Sequence, residues 1–283
     1  MNRPTQIDRV VLVILDGLRP DAVETFALTN IAGLAARGAA TWSAQTVAPS
    51  LTASVVASLM TGIAPTGHGV VSDRFHIPHR RGPIDPLPRV LTKAGYPCSA
   101  FVRAMPVIYA GLARRIARHL GVGQVHCGGS GALDVLNAAR PTLGEQRRGL
   151  IFMHWPDADL AGHEGGWMSP AYGAGAQRLD AALGQLTESL ARQRDLHTLL
   201  IALADHGGGG MVANDHDSEH PDDRTVPVIL AGAGVHPGMS LDFTSLLDIP
   251  ATVLWALGLR RPASYTGRPL VEAFRTAIEE AVA

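Results

Sequence analysis

The chain has 283 residues, of which 46% are hydrophobic and 17% charged, with a formal net charge of −1. That length can bury a large core, and the composition excludes a disordered chain. The near-zero charge excludes a global field for nucleic acid or an anionic membrane, and two cysteines, Cys98 and Cys127, are too few for a disulfide framework.

The polar start, residues 1–8, leaves no room for the apolar segment of a signal peptide, and no apolar run is long enough to span a bilayer. A cytoplasmic protein is therefore expected. Val11 to Leu15 is a run of branched apolar residues that reads as a strand buried on both faces, and it ends in Asp16-Gly17. Thr29 to Gly38 reads as a short helix closed by a glycine. Ala53 to Met60 reads as a second helix, with Thr52 at or near its N-terminus, where the amides and the dipole favour negative charge. A plain capping threonine explains the same position.

Asp73 to Pro88 reads as a loop carrying Arg74, His76, His79, Arg80 and Arg81. Arg89 to Ala94 reads as a helix and Ser99 to Arg103 as a strand. Ala110 to Leu120 is amphipathic and helical, and Leu133 to Ala139 is a further candidate helix. Gly149 to Trp155 is a strong strand followed by Asp157 and Asp159. Tyr172 to Arg194 reads as a long amphipathic helix. Leu196 to Ala204 is another buried strand, delivering Asp205-His206 and a run of glycines. Asn214 to Arg224 reads as a loop, Val226 to Ala231 as a strand, and Thr244 to Leu257 and the tail from Leu270 as helices. Strands alternate with helices and no linker interrupts them. The expected architecture is one α/β domain over residues 1–283, a mostly parallel, doubly wound sheet with helices on both faces.

Ligands of such sheets sit in the crevice beyond the carboxyl ends of the strands. The polar residues expected there are Asp16, Asp159, His163, Asp205, His206 and the loop residue His216. Three carboxylates with three imidazoles suit zinc, manganese or iron better than the all-oxygen preferences of magnesium and calcium. Asp159 and His163 are four apart, so one helical turn puts both on one face. His220 lies four residues beyond His216, but precedes Pro221 in a stretch expected to follow the surface.

Taken together these stretches resemble the alkaline phosphatase superfamily, and within it the type I phosphodiesterase/nucleotide pyrophosphatase and sulfatase-like branches. Val11 to Gly17 resembles the first strand and its metal aspartate. Thr52, nine residues before Thr61-Gly62, stands where these families place the nucleophile, and Pro65 and His68-Gly69 complete that motif. Asp159-Leu160-Ala161-Gly162-His163 is similar to the phosphodiesterase Asp-x-x-Gly-His, and Ala204 to Gly207 to the Ala-Asp-His-Gly. His216, eleven residues before Pro227, matches the last metal histidine, and Leu246 to Thr252 resembles the C-terminal helix.

The resemblance implies an alkaline phosphatase-like core with two divalent metal ions, zinc first and manganese or iron as alternatives. One would be held by Asp16, Thr52, Asp205 and His206, the other by Asp159, His163 and His216. It implies hydrolysis of a small-molecule phosphoester through a covalent phospho-threonine on Thr52, in a phosphodiesterase or nucleotide pyrophosphatase, with neither nucleic acid nor membrane as partner. A phosphomonoesterase or phosphonate hydrolase with the same site is the alternative, as is a non-catalytic homologue. Three features depart from the family. Ala53-Ser54-Val55 replaces the common Phe-Pro-Asn, and Asp73 stands where an asparagine helps hold a phosphoryl oxygen. The chain is also too short for a large cap domain, which argues against a mutase, and Ser54 and Val56 argue against a sulfatase.

Overall fold

A computed structural model describes residues 7–72, 82–242 and 244–275. The first third contains β1 (Arg9–Leu15), α1 (Ala22–Thr25), α2 (Thr29–Ala36), β2 (Ala39–Gln45), α3 (Thr52–Thr61), α4 (Pro65–His68) and α5 (Leu87–Lys93). The middle contains β3 (Cys98–Val102), α6 (Val107–His119), β4 (Gln124–Cys127), α7 (Ala132–Glu145), β5 (Gly149–Trp155), α8 (Asp157–Gly165) and α9 (Pro170–Ala191). The last part contains β6 (Thr198–Leu203), α10 (Pro221–Arg224), β7 (Thr225–Gly232), β8 (Met239–Ser240) and α11 (Asp248–Ala256), then one 3-10 turn at Val271–Ala273.

The strands form an eight-stranded sheet in the order β4-β3-β5-β1-β6-β7-β2-β8. β1 pairs in parallel with β5 and with β6, and β3 and β4 continue the parallel half. β7 alone is antiparallel to its neighbours, β6 and β2. This is the mostly parallel α/β sheet expected. β1 is buried along its whole length, which explains its unbroken apolar sequence: side chains on both faces meet helices rather than water. One group of helices packs α2, α7 and α8 against α9, and another packs α3 with α4, α5 and α11.

The position of β1 sets the site. Its chain neighbours in sequence lie elsewhere; its sheet neighbours are β5 and β6, so the carboxyl ends of three separate strands lie side by side. Asp16 N still donates to Trp155 O at 3.0 Å, so the ladder between β1 and β5 extends to the first residue of the crevice. At the opposite, amino-terminal end of β1 the buried Arg9 guanidinium donates to Leu143 O, Gln146 O, Gln193 Oε1 and Thr198 Oγ1. Those four acceptors offset the cost of burying its charge.

Several boundaries differ from expectation. The helix expected over Thr244 to Leu257 begins only at Asp248, because residues 244–247 form a turn capped by Asp248, whose Oδ2 accepts from Ser245 N at 2.9 Å. The helix expected from Leu133 to Ala139 runs on through Pro141 to Glu145. The loop expected over Asn214 to Arg224 ends in the short α10, and the helix expected from Leu270 is a single 3-10 turn as far as residue 275. Asp73, Arg74, His76, His79, Arg80 and Arg81 lie outside the described residues.

Candidate metal centre

Asp16 leaves β1 into Gly17, whose φ of +71° lies in the left-handed region. A Cβ on Gly17 would come within 2.8 Å of the Asp159 backbone, so only glycine lets the end of β1 pass the start of α8 so closely. Gly17 O is then held by two side chains, accepting from Trp167 Nε1 at 2.9 Å and Tyr172 OH at 3.0 Å. Asp159 N donates to Asp16 O at 3.0 Å. Strand end and helix start are therefore one rigid unit, and the two acids face the same space.

Asp205 follows β6. Its Oδ1 accepts from Gly17 N at 3.3 Å and His206 N at 3.1 Å, which orients the carboxylate and leaves Oδ2 aimed inward. Thr46 Oγ1 donates to Asp205 O, tying β2 to this turn. His216 is reached from a different part of the chain. Ser50 Oγ donates to His216 O at 2.6 Å, and His216 Nδ1 donates back to Ser50 O at 2.8 Å. That strap joins the 214–220 loop to the segment that begins α3.

Three imidazoles share one arrangement. Nδ1 of His163, His206 and His216 lies 3.0, 2.8 and 2.8 Å from a backbone carbonyl, those of Asn214, Gly207 and Ser50. A carbonyl only accepts, so each Nδ1 carries a proton and each Nε2 is the atom that binds or releases one. Backbone bonds of this kind also fix the rings of metal-binding histidines. The rings of His206 and His216 stack at 3.7 Å, and Trp167 lies edge-on to His163 and His216.

The inward atoms converge. His206 Nε2 is 3.2 Å from Asp16 Oδ1, 3.2 Å from Thr52 Oγ1, 3.7 Å from Asp205 Oδ2 and 3.9 Å from Asp159 Oδ1. Asp159 Oδ1 is 3.3 Å from His163 Nε2 and 3.8 Å from His216 Nε2. Asp16, Thr52, Asp159, His163, Asp205, His206 and His216 thus lie in one connected cluster. Among the described residues, Asp16 Oδ1, Asp159 Oδ1, Asp205 Oδ2 and His154 Nε2 are buried with no hydrogen-bond partner. Buried polar atoms are rarely left so, and three carboxylate oxygens with one imidazole nitrogen at one point suit a cation. Their tightest groupings are Asp159 with His206 and His216, and Asp16 with His154 and Asp205.

Thr52 is the first residue of α3 and not its cap. The cap position is Leu51, and no side chain caps the helix. Thr52 Oγ1 faces His206 instead, at the positive end of the α3 dipole. The capping explanation for this threonine does not hold. His68 lies away from the cluster. It bonds Ser58 Oγ at 2.9 Å and accepts from Val70 N at 3.1 Å, so it braces α3 against α4. His220 is also elsewhere: its Nδ1 accepts from Asp222 N at 3.2 Å and caps α10. His154, near the end of β5, is the residue that sequence patterns missed. An imidazole inside the otherwise apolar run Leu150 to Trp155 was the available signal.

The electrostatics of the metal-free chain oppose binding at low pH. Asp159 beside it raises the His163 imidazole to about 9. Burial opposes charge on His206, but Asp205 and Asp16 prevail and raise it to about 10. Burial, reinforced by Asp16, raises Asp205 to about 7, while burial of Asp16 is outweighed by His154 and His206, which hold it well below the carboxylate range. A cation must therefore displace protons from His163 and His206 at neutral pH. Affinity for zinc should rise with pH towards 9, by about tenfold per unit for each proton displaced, with proton release. Calorimetry in buffers of different ionisation enthalpy measures that release, and an affinity flat between pH 6 and pH 9 contradicts it.

Residues 10–88 match the model of the type I phosphodiesterase / nucleotide pyrophosphatase family, and residues 129–261 match the metalloenzyme superfamily. A curated relative, the 2,3-bisphosphoglycerate-independent phosphoglycerate mutase of Thermomicrobium roseum, is 27% identical over 149 residues. That alignment covers 50% of this chain but only 27% of the mutase, so the chain matches about a quarter of the mutase's length. Murine ectonucleotide pyrophosphatase / phosphodiesterase 5, solved as an inactive variant in complex with AMP, superimposes with a TM-score of 0.75 at 13% identity, over 95% of this chain and 100% of that one. The lipoteichoic acid synthase LtaP of Listeria monocytogenes gives 0.74 at 17% identity, over 96% and 77%. At these identities the structures share the fold.

Proposed function

Because the chain belongs to the alkaline phosphatase superfamily, we propose that it is a metal-dependent hydrolase of phosphoric esters, of phosphodiesterase or nucleotide pyrophosphatase type, with Thr52 as its nucleophile. The observation that carries this reading is the Thr52 hydroxyl. It makes no capping bond, heads α3 and lies 3.2 Å from His206 Nε2 beside the cluster of unpartnered buried donors.

The donor set fits divalent cations. Asp16, Thr52, Asp205 and His206 would hold one, and Asp159, His163 and His216 the other; mixed nitrogen and oxygen donors favour zinc, with manganese or iron as alternatives. Bound there, two cations supply Lewis acidity to the phosphoryl oxygens and favour the threonine alkoxide. The chain supplies the rest. Thr52 Oγ attacks phosphorus, a new O–P bond forms, and the bond to the leaving oxygen breaks as that group departs as an alcohol or phosphate. Water then cleaves the phospho-threonine, returning the hydroxyl and releasing the second product. The dipole of α3 favours the negative charge that develops next to Thr52. Trp167, buried against His163 and His216, keeps bulk water from that side of the rings.

A phosphomonoesterase has the same centre, and the mutase relatives favour a third variant, in which the phosphoryl group passes to a second hydroxyl rather than to water. Purified protein should contain about two transition-metal ions per chain. Metal-loaded, it should hydrolyse bis(p-nitrophenyl) phosphate faster than p-nitrophenyl phosphate, and chelation should abolish both. Only trace metal together with activity unchanged by chelation overturns the proposal. Preference for the monoester moves it to the phosphatase reading, and isomerisation of phosphoglycerate without release of phosphate moves it to a mutase.

A further inference from the structure

The inner half of the centre holds one donor more than the superfamily resemblance implies. His154 is the penultimate residue of β5 and pairs with Ile14 of β1 and Val102 of β3. Because Asp16 N remains bonded to Trp155 O, this register brings the imidazole alongside Asp16. The side chain is 13% exposed and its strand neighbours are apolar. An imidazole there loses its hydration and needs a partner to recover it.

The partner within reach is Asp16. His154 Nε2 and Asp16 Oδ2 are 3.0 Å apart, an ion-pair distance, but among the described residues His154 Nε2 makes no aligned hydrogen bond. Asp16 Oδ1 and Asp205 Oδ2 are unpartnered as well. Ligand atoms of Asp16, His154 and Asp205 all fall within 4.8 Å of one another. Two atoms bound to one cation at about 2.0 Å in a tetrahedron are about 3.3 Å apart. The separations here, 3.0 Å for His154 with Asp16 and 3.2 Å for His206 with Asp16, lie close to that edge.

We propose that His154 Nε2 is a ligand of the inner cation, binding it together with Asp16 and Asp205. This rests on the two-cation reading above. An added nitrogen donor beside two carboxylates gives the inner site a preference for borderline transition cations over magnesium. It also leaves His206, whose Nε2 is 3.2 Å from Asp16 and 3.9 Å from Asp159, placed between the inner and outer groups.

The test compares the parent protein with His154→Ala and His154→Gln, each confirmed folded by its metal-free melting curve. Cobalt(II) is the probe, read by its visible absorption and by ion counts after desalting, and zinc affinity is measured by competition with a chromophoric chelator. The parent should hold two ions. Both variants should keep one ion as tightly as the parent and bind the other at least about 100-fold more weakly, with an altered cobalt spectrum. Added imidazole should restore the spectrum in His154→Ala, where it can fill the space left, and not in His154→Gln. Glutamine can still donate to Asp16, so a role confined to orienting Asp16 predicts parent-like binding in that variant. Two ions and a parent-like spectrum in His154→Gln overturn the assignment while the two-cation reading stands. A parent protein that takes up no cobalt overturns both.

Discussion

Replacing Thr52 by alanine should reduce turnover by several powers of ten while leaving the fold in place and, at saturating metal, both ions bound through the remaining donors. Removing the hydroxyl closes the covalent route, and only the electrostatic contribution of the site remains. The other donors, Asp16, Asp205 and His206, come from β1 and β6 and are braced by Gly17 N, His206 N and Gly207 O, none of which involves Thr52. Thr52 also makes no capping bond, so its loss should cost α3 less than the roughly 1 kcal/mol of a missing cap. Thr52→Ser, which keeps the hydroxyl, should retain measurable turnover. Steady-state rates at saturating metal, with elemental analysis on the same samples, separate these outcomes. Equal turnover in Thr52→Ala and the parent removes the covalent mechanism and turns attention to water as the attacking group.

Exchanging His216 for alanine should remove the outer ion, whereas His220→Ala should leave metal content and activity near those of the parent. Both histidines lie in one loop, but they do different things. His216 is anchored through Ser50 in two directions and stacks on His206. Burial, with His206 close by, depresses its basicity, which keeps Nε2 free of a proton for a cation. His220 turns the other way and closes the first turn of α10. Even partners one step removed from a metal commonly change its affinity by about 10–100-fold, so loss of a direct donor should exceed that range. Zinc titration of the two variants reads the difference, and loss of metal from His220→Ala with retention in His216→Ala reverses the assignment.

Local sequence determined the parts of this protein whose cause is itself local. β1, β5 and β6 are legible because strands covered on both faces must be apolar throughout, and the acids at their ends are conspicuous against such runs. The long α9 is legible because one buried stripe repeats through 22 residues. β2 and β4 were not anticipated. β2 has two exposed residues in mid-strand and an irregular register between Thr41 and Ala44, and β4 has four residues at a sheet edge, so neither shows a buried run or clean alternation.

The tertiary structure alone decided which donors meet, because that depends on strand order rather than on spacing along the chain. β1 lies between β5 and β6, strands that begin more than a hundred residues later, and only this crossover sets Asp16 beside Asp205 and His154. The surroundings of individual side chains came the same way. Thr52 could be a cap or a nucleophile by sequence; in the structure its hydroxyl makes no capping bond and lies 3.2 Å from His206 Nε2. His68 and His216 are both histidines in polar turns, yet one braces helices and the other faces the cluster. His154 carried little sequence signal, since a single polar residue in a buried strand acquires meaning only from what the neighbouring strand places 3.0 Å away.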